Sequence, residues 1–163
     1  MTKKGWLTIA TFLLLSLGAI ALLIYSLSQS NLEKTISVES EGITTETLTV
    51  KGLALHPGEQ QEYTVVFEGE LDGDFTVSLD YRETRNGGMK PFVAAILRTG
   101  GSVVYEGTLA ELLNSDRVIT FDARLSPDDP LTLSLCYQMP SHIGNEAQGT
   151  FAEFDITVTV ERK

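Results

Sequence analysis

Apolar and polar residues alternate along most of the chain after residue 44, and the alternation is longest near its end. The run LTLSLCYQ begins at Leu131, and the run FDITVTVE begins at Phe154. A period of two is typical of a strand with one buried face. Met139-Pro140 ends the first run, because proline cannot donate to a strand ladder. Joined by a turn-rich loop, the two runs predict an antiparallel sheet that packs against a second layer.

An earlier pair of alternating runs, EYTVVFEGE from Glu62 and FTVSLDYR from Phe75, flanks Asp72-Gly73. Asp-Gly favours the short turn whose twist matches that of paired strands. We therefore expect these two strands to form a hairpin in register. After Pro91, the run FVAAILR is apolar over six consecutive residues, which indicates a strand buried on both faces.

One stretch, TLAELLN from Thr108, interrupts the alternation and predicts a short helix. Glu111 follows Thr108 at the spacing of a capping box, and Leu109, Leu112 and Leu113 would share one apolar face. The other runs bring the total to eight or nine strands. The pattern therefore predicts an all-β fold, a two-sheet antiparallel sandwich of jelly-roll type with one short helix. An immunoglobulin-like sandwich is the alternative.

A hydrophobic N-terminal segment precedes the strands. From Trp6 to Leu27, 22 residues carry no charge, and two lysines stand before them. About 20 apolar residues span a bilayer as a helix, whereas the apolar core of a secretory signal has about 7–15. The length predicts an uncleaved helical anchor with its N-terminus inside, Leu14 within the bilayer, and Trp6 and Tyr25 at the interfaces.

The alternative is a long signal peptide, because Ser26-Leu27-Ser28 offers a small-x-small cleavage site. Either way, the rest of the chain is expected outside the cell or on its surface. The sequence thus divides into residues 1–28, a signal peptide or transmembrane anchor, 29–46, a polar linker with a short strand, and 47–163, a β-sandwich domain.

The exported portion is strongly acidic. All 22 acidic residues lie after residue 28 with 10 of the 12 basic ones, which leaves a formal net charge of −12. Such a surface repels phosphate, so we expect neither nucleic acid nor anionic lipid as a partner. The membrane contact that we expect is the one made by the N-terminal helix, at least before processing.

Cys136 is the only cysteine, which excludes an intramolecular disulfide. An exported domain without disulfides depends on its hydrophobic core for stability, which is more typical of Gram-positive surface proteins than of secreted eukaryotic proteins. Cys136 falls on the polar face of its strand. Two interpretations stay open, pairing with another molecule or a small buried residue.

The residue types of catalysis are sparse. His56 and His142 are the only histidines, and neither belongs to a His-Glu-x-x-His pattern. His142 lies near Asn145 and Glu146, so a loop metal site stands against a solvent-facing turn histidine. No serine lies in a nucleophile elbow, and no glycine pair resembles a phosphate loop. We predict no enzyme activity, no metal and no cofactor.

Several short motifs, in this order and spacing, make the sequence resemble the TasA/camelysin family, exported proteins of Gram-positive biofilm matrices. The likeness covers most of residues 53–159, and the Asn-x-x-Gln spacing is its most specific piece. The residues that carry it are Pro57, Gly58, Tyr105, Gly107, Leu109, Met139, Pro140, Gly144, Asn145, Gln148 and Gly149.

The resemblance implies a jelly-roll domain that polymerises into fibres, with itself or other matrix proteins as partner. An N-terminal segment of one subunit would complete the sheet of the next by strand addition. Here that donor strand would come from residues 35–50, with four inward side chains, Ile36, Val38, Leu48 and Val50. The apolar N-terminal run is longer than the family's usual signal. Camelysin's metalloprotease description does not carry over, because no residue set fits it.

The expected function is that of an exported structural protein of the cell surface or biofilm matrix that self-associates into fibres. The alternative is a membrane-anchored extracellular β-sandwich that serves as a binding or accessory module. A metallopeptidase rests only on the family name and two histidines. For Asn145 and Gln148 we expect a structural role, in which their amides satisfy buried backbone groups of the loop.

Overall fold

Nine strands and one short helix make up the described part of the chain, as the alternation predicts. The computed structural model describes residues 32–39, 43–70, 72–114 and 118–163. The predicted anchor or signal peptide, with Trp6, Leu14 and Tyr25, lies outside these residues. Within them, no helix has the length and apolar composition to cross a membrane.

The elements follow one another with short connections. The strands are β1 (Leu32–Val38), β2 (Ile43–Leu53), β3 (Gln60–Gly69), β4 (Gly73–Gly87), β5 (Ala94–Thr99), β6 (Ser102–Thr108), β7 (Val118–Leu125), β8 (Leu131–Gln138) and β9 (Phe151–Arg162). The helix α1 spans Leu109–Leu112, and two 3₁₀ turns span Lys90–Phe92 and Asn145–Ala147.

The strands form two sheets that face each other. Sheet I has the order β1-β3-β8-β5-β6, and sheet II has the order β2-β9-β4-β7. The eight strands β2 to β9 follow the two interlocked Greek keys of a jelly roll, which confirms the predicted architecture. Strand β1 is additional to those eight. It joins the edge of sheet I beside β3, and theirs is the one parallel pair among the described strands.

The predicted hairpin of β3 and β4 is wrong, because the two strands lie in different sheets. Strand β3 pairs with β8, and β4 pairs with β7 and β9. Asp72 does not form a hairpin tip; its carboxylate accepts two hydrogen bonds from Arg124 on β7, at 3.1 and 3.0 Å. Alternation identifies the buried face of a strand but not its neighbour, so a turn between sheets resembles a hairpin turn in sequence.

The same correction applies to β8 and β9, which the sequence suggests as partners in one sheet. They lie in sheets I and II and face each other across the core. Their inward residues alternate as predicted; Leu133, Leu135, Phe154 and Ile156 are completely buried. The turn-rich loop between them therefore connects the two sheets at one end of the sandwich.

Three aromatic rings fill the middle of the core. Tyr81 on sheet II and Tyr137 on sheet I are buried, and their hydroxyl oxygens lie 3.2 Å apart in a hydrogen bond. Tyr137 meets Phe154 edge to face, with ring centroids 5.5 Å apart. Such pairs contribute about 0.5–1.5 kcal/mol beyond the burial of their area. The hydrogen bond links the two sheets where water is excluded.

Strand β5 is less buried than its composition suggests. Ala95 and Leu97 are fully buried, but Ala94 and Ile96 on the other face are half-exposed, so the prediction of burial on both faces is wrong. Phe92 belongs to a 3₁₀ turn that begins before Pro91 rather than to the strand. Sheet I has one face on the core, and apolar residues on the other face meet solvent.

Residues Leu32–Lys163 form one compact unit. The stretch 32–46, which lies within the predicted linker, supplies β1 and the first part of β2. Two of its residues, Ile36 and Val38, belong to the hydrophobic core.

Candidate functional site

Two of the resemblance motifs meet at one end of the sandwich. The N–H of Gly58 donates to the carbonyl of Met139 at 2.8 Å, and the N–H of Met139 donates to the backbone carbonyl of Glu59 at 2.9 Å. These bonds extend the β3–β8 ladder beyond its last pair and hold Pro57-Gly58 against Met139-Pro140. Gly58 has a φ of +87°, a conformation that glycine adopts without strain.

Beyond these two hydrogen bonds, the β8–β9 loop folds onto itself. The N–H groups of Gln148 and Thr150 donate to the backbone carbonyl oxygens of Asn145 and Ala147, at 3.0 and 3.2 Å. The carboxylate of Glu146 accepts from the N–H of Gly144 at 3.0 Å. Hydrogen bonds from its own backbone and from Gly144 lower the pKa of Glu146, and the nearby His142 contributes. The loop backbone is thus well supplied with partners of its own.

A cleft of about 380 Å³ opens between this loop and the β2–β3 loop. We name it the end cleft. Ala147 and Leu55 are buried beneath it, and Ile143 is half-exposed. The residues that line it are Ala54, Leu55, His56, Pro57, Ile143, Gly144, Asn145, Ala147, Gln148, Gly149 and Thr150. The end cleft therefore gathers residues of the first and last resemblance motifs, which are far apart in sequence.

Asn145 and Gln148 do not have the role that the sequence suggests. Both are exposed, and within the described ranges neither side-chain amide has a hydrogen-bond partner. Backbone groups and Glu146 hold the loop without them. The sequence carries no signal for these free amides, because whether a side-chain amide forms a hydrogen bond depends on which loop groups remain unpaired after folding. The two amides are left free at the mouth of the end cleft.

The middle motif lies elsewhere and is structural. The hydroxyl of Tyr105 donates to the Glu111 carboxylate at 3.2 Å. Glu111 also accepts from the Thr108 N–H, and its own N–H donates to the Thr108 hydroxyl, which completes the predicted capping box of α1. A Cβ on Gly107 would collide with the Tyr105 hydroxyl and the Glu111 carboxylate. Leu109 is fully buried beneath this corner.

The four residues of the expected donor segment lie on two strands in different sheets. Ile36 and Val38 on β1 are 2% and 8% exposed. Val50 on β2 is also buried, whereas Leu48 is half-exposed. In this structure β1 completes the sheet of its own chain, and β2 is a full member of the jelly roll.

A second opening, of about 260 Å³, lies between β1 and β2, where the two sheets separate. Lys34 and Glu46 face each other across it, with their charged atoms 3.9 Å apart. Tyr63 lines the opening, and its partial burial raises the pKa of the hydroxyl to about 12. An exposed ion pair of this kind contributes about 0–1 kcal/mol to stability.

The remaining candidate groups are separate. Cys136 is buried on the outer side of β8, and burial, with the nearby charge of Glu62, raises the pKa of its thiol. His56 and His142 are exposed. In the part of the chain that the structure describes, no three His, Cys, Asp or Glu side chains come together to hold a metal ion.

No family model and no curated protein matches this sequence. Matches among solved structures include FLHE, at 12% sequence identity and a TM-score of 0.45, over 75% of this chain and 97% of that one. The pre-peptidase C-terminal domain of a Bacillus anthracis collagenase has 10% sequence identity and a TM-score of 0.38, over 78% of this chain and 95% of that one. The C-terminal CBM6 of LamC from Zobellia galactanivorans has 8% sequence identity and a TM-score of 0.34, over 73% of this chain and 100% of that one. With TM-scores below 0.5, these matches support no conclusion about this chain.

Proposed function

We propose that this chain is an exported structural protein of the cell surface or biofilm matrix, and that it self-associates into fibres by strand addition. The observation that carries the proposal is the position of β1. It is a ninth strand beside a complete eight-stranded jelly roll, at the edge of sheet I. Its removal breaks no other strand pair, so a second copy can supply the same strand.

The energetics of β1 support exchange between copies. Ile36 and Val38 fill the edge of the core, and burial of the Ile36 side chain contributes about 1.5–3 kcal/mol. An edge left without β1 therefore exposes apolar surface and the free N–H and C=O groups of β3. The β1 of a neighbouring copy relieves both costs with the same contacts.

The connection between β1 and β2 supports a swapped arrangement. Only residues 39–42 separate the two strands, which belong to different sheets. A short connection between exchanged elements favours pairing with a second molecule once β1 detaches. Assembly would then be slow and concentration-dependent, because β1 must leave its own chain first.

A pair of cysteines tests this exchange. Thr35 on β1 lies directly opposite Val66 on β3. Neighbouring strands are about 4.8 Å apart, within the Cα separations of disulfides. In a Cys136→Ser background, we expect oxidised Thr35→Cys/Val66→Cys protein to stay monomeric and to form fibres after reduction. Oxidation after assembly should give a ladder of covalent oligomers on a non-reducing gel.

The matched control is Val66→Cys/Thr132→Cys, which joins β3 to β8 within the jelly roll. It should assemble equally well oxidised or reduced and run as a monomer. Fibres formed at an unchanged rate by the oxidised β1–β3 pair, or cross-links confined to single chains within fibres, would refute the exchange of β1.

A membrane-anchored binding or accessory module is the second candidate, and the 22 uncharged residues from Trp6 to Leu27 favour it. The mass of the protein recovered from membranes and medium of the host distinguishes the two. An intact chain found only in membranes supports the anchored module. A soluble species that begins near Gln29 supports the fibre protein.

A further inference from the structure

The end cleft combines an apolar floor with a polar mouth. Leu55 and Ala147 are 7% and 5% exposed and lie beneath it, and Ile143 and Pro57 extend the apolar surface. His56, Asn145 and Gln148 are exposed around it. A volume near 380 Å³ falls within the range of small-molecule sites, about 300–1,000 Å³, and a few convergent polar groups are typical of them.

The lining is neutral although the chain is acidic. Among the described residues that line the end cleft, none is Asp, Glu, Lys or Arg. Two carboxylates of the adjoining loops are bonded to backbone groups: Glu59 accepts from the N–H of His56 at 2.8 Å, and Glu146 accepts from the N–H of Gly144. Apart from His56, which is charged only when protonated, the lining offers a charged ligand no counter-charge. The lining therefore selects for an uncharged molecule.

The hydrogen-bonding capacity at the mouth belongs to side chains. Each amide of Asn145 and Gln148 offers two N–H donors and a carbonyl acceptor, and none of these is used by the described residues. The backbone beneath them is fixed by the bonds of the β8–β9 loop. Because the loop is already ordered, a ligand does not bear the cost of ordering it.

We propose that the end cleft binds a neutral glycan segment of about one or two sugar rings. Asn145, Gln148 and His56 pair with its hydroxyl groups, and the apolar floor receives the C–H face of the ring. A peptide fits less well, because peptides are held mainly through main-chain hydrogen bonds. The N–H groups of Gly58, Glu59, Gln148 and Thr150 already have partners.

The test is an NMR titration of the ¹⁵N-labelled full chain, in a detergent without a sugar headgroup. The probes are cellotetraose, tetra-N-acetylchitotetraose and tetra-alanine, each at about 5 mM, which detects millimolar dissociation constants. We expect one of the two oligosaccharides to shift the amide signals of residues 54–57 and 143–150. Asn145→Ala/Gln148→Ala should weaken that binding at least about tenfold, since two polar contacts are lost.

Asn114→Ala is the matched control, because Asn114 is also exposed but lies outside the end cleft. It should bind like the unaltered chain. If the double variant loses its dispersed spectrum, Asn145→Asp and Gln148→Glu replace it, since they keep the side-chain size. The proposal is overturned if neither oligosaccharide shifts these signals, if the shifts lie elsewhere, if the folded variants bind unchanged, or if only tetra-alanine binds. It is independent of fibre formation.

Discussion

At the scale of single residues, the least replaceable positions are those where side chains of distant segments meet. Gly107 leaves room for the Tyr105 hydroxyl and the Glu111 carboxylate, which together close the corner before α1. Tyr81 and Tyr137 share a hydrogen bond in the middle of the core. The Tyr81–Tyr137 hydrogen bond joins the two sheets where water is excluded, whereas the part-buried contact between Tyr105 and Glu111 holds the corner before α1.

Alkaline pH should destabilise the fold through its buried tyrosines. Burial raises the pKa of Tyr63 from 10.0 to about 12, and it raises the pKa values of Tyr81 and Tyr137 as well. The folded state then holds protons that the unfolded chain releases above about pH 10. The stabilisation is therefore complete below pH 10 and declines as the pH rises through 12.

Urea unfolding between about pH 8 and pH 12 measures this effect. Tyr63→Phe should make the decline shallower, because one of the three linked groups is removed. Stability that stays constant up to pH 12 would contradict the role given to these hydroxyls.

At the scale of elements, β1 differs from the other edge strands, β2, β6 and β7, because it is additional to the eight strands of the jelly roll. It has one neighbour, β3, and it is the ninth strand beside the jelly roll. By contrast, β9 lies between β2 and β4, and β8 lies between β3 and β5. An edge element with one ladder opens at a lower free energy than a central one, so β1 should be a separate unit of local unfolding.

Ile36→Asp should detach β1 while the jelly roll persists. A carboxylate has no partner at this buried position and is costly there, whereas β2 to β9 keep all of their ladders. Hydrogen exchange read by mass spectrometry should show at least about a tenfold loss of protection in β1 and β3 edge amides. Protection of β4 and β9 should change little.

Thr35→Asp is the control for this variant, because Thr35 is the exposed neighbour on the same strand. Its exchange pattern should match that of the unaltered chain. Equal loss of protection throughout β1 to β9 in Ile36→Asp would mean that β1 is an inseparable part of the cooperative unit.

At the scale of the whole molecule, the charge of residues 29–163 opposes association. Their formal net charge is −12, so two copies repel each other at neutral pH. The Debye length falls from about 10 Å at 0.1 M salt to about 3 Å at 1 M, which screens that repulsion. We expect the rate of fibre growth to rise with NaCl over this interval.

Light scattering of the purified protein at fixed concentration follows this rate. The oxidised Thr35→Cys/Val66→Cys protein serves as a control, since its β1 cannot exchange and salt should not start its assembly. Growth that slows as salt is added would contradict this prediction, because it would indicate that attractive charge pairs between copies drive their association.

The sequence by itself determined the local features of this protein. Alternation identified the buried faces of β8 and β9, and the Thr108–Glu111 spacing identified the cap of α1. Both follow from interactions within a few residues, which the order of side chains specifies. The total charge and the apolar N-terminal run are likewise properties of the sequence alone.

Only the tertiary structure decided which strands are neighbours. Strand β3 pairs with β8 rather than with β4, and β1 pairs with β3 in parallel. It also decided that the loops before β3 and after β8 form one cleft, where no described residue pairs with the side-chain amides of Asn145 and Gln148. Pairing between distant strands depends on how two whole sheets bury their apolar faces together, and a period of two is the same for every such arrangement.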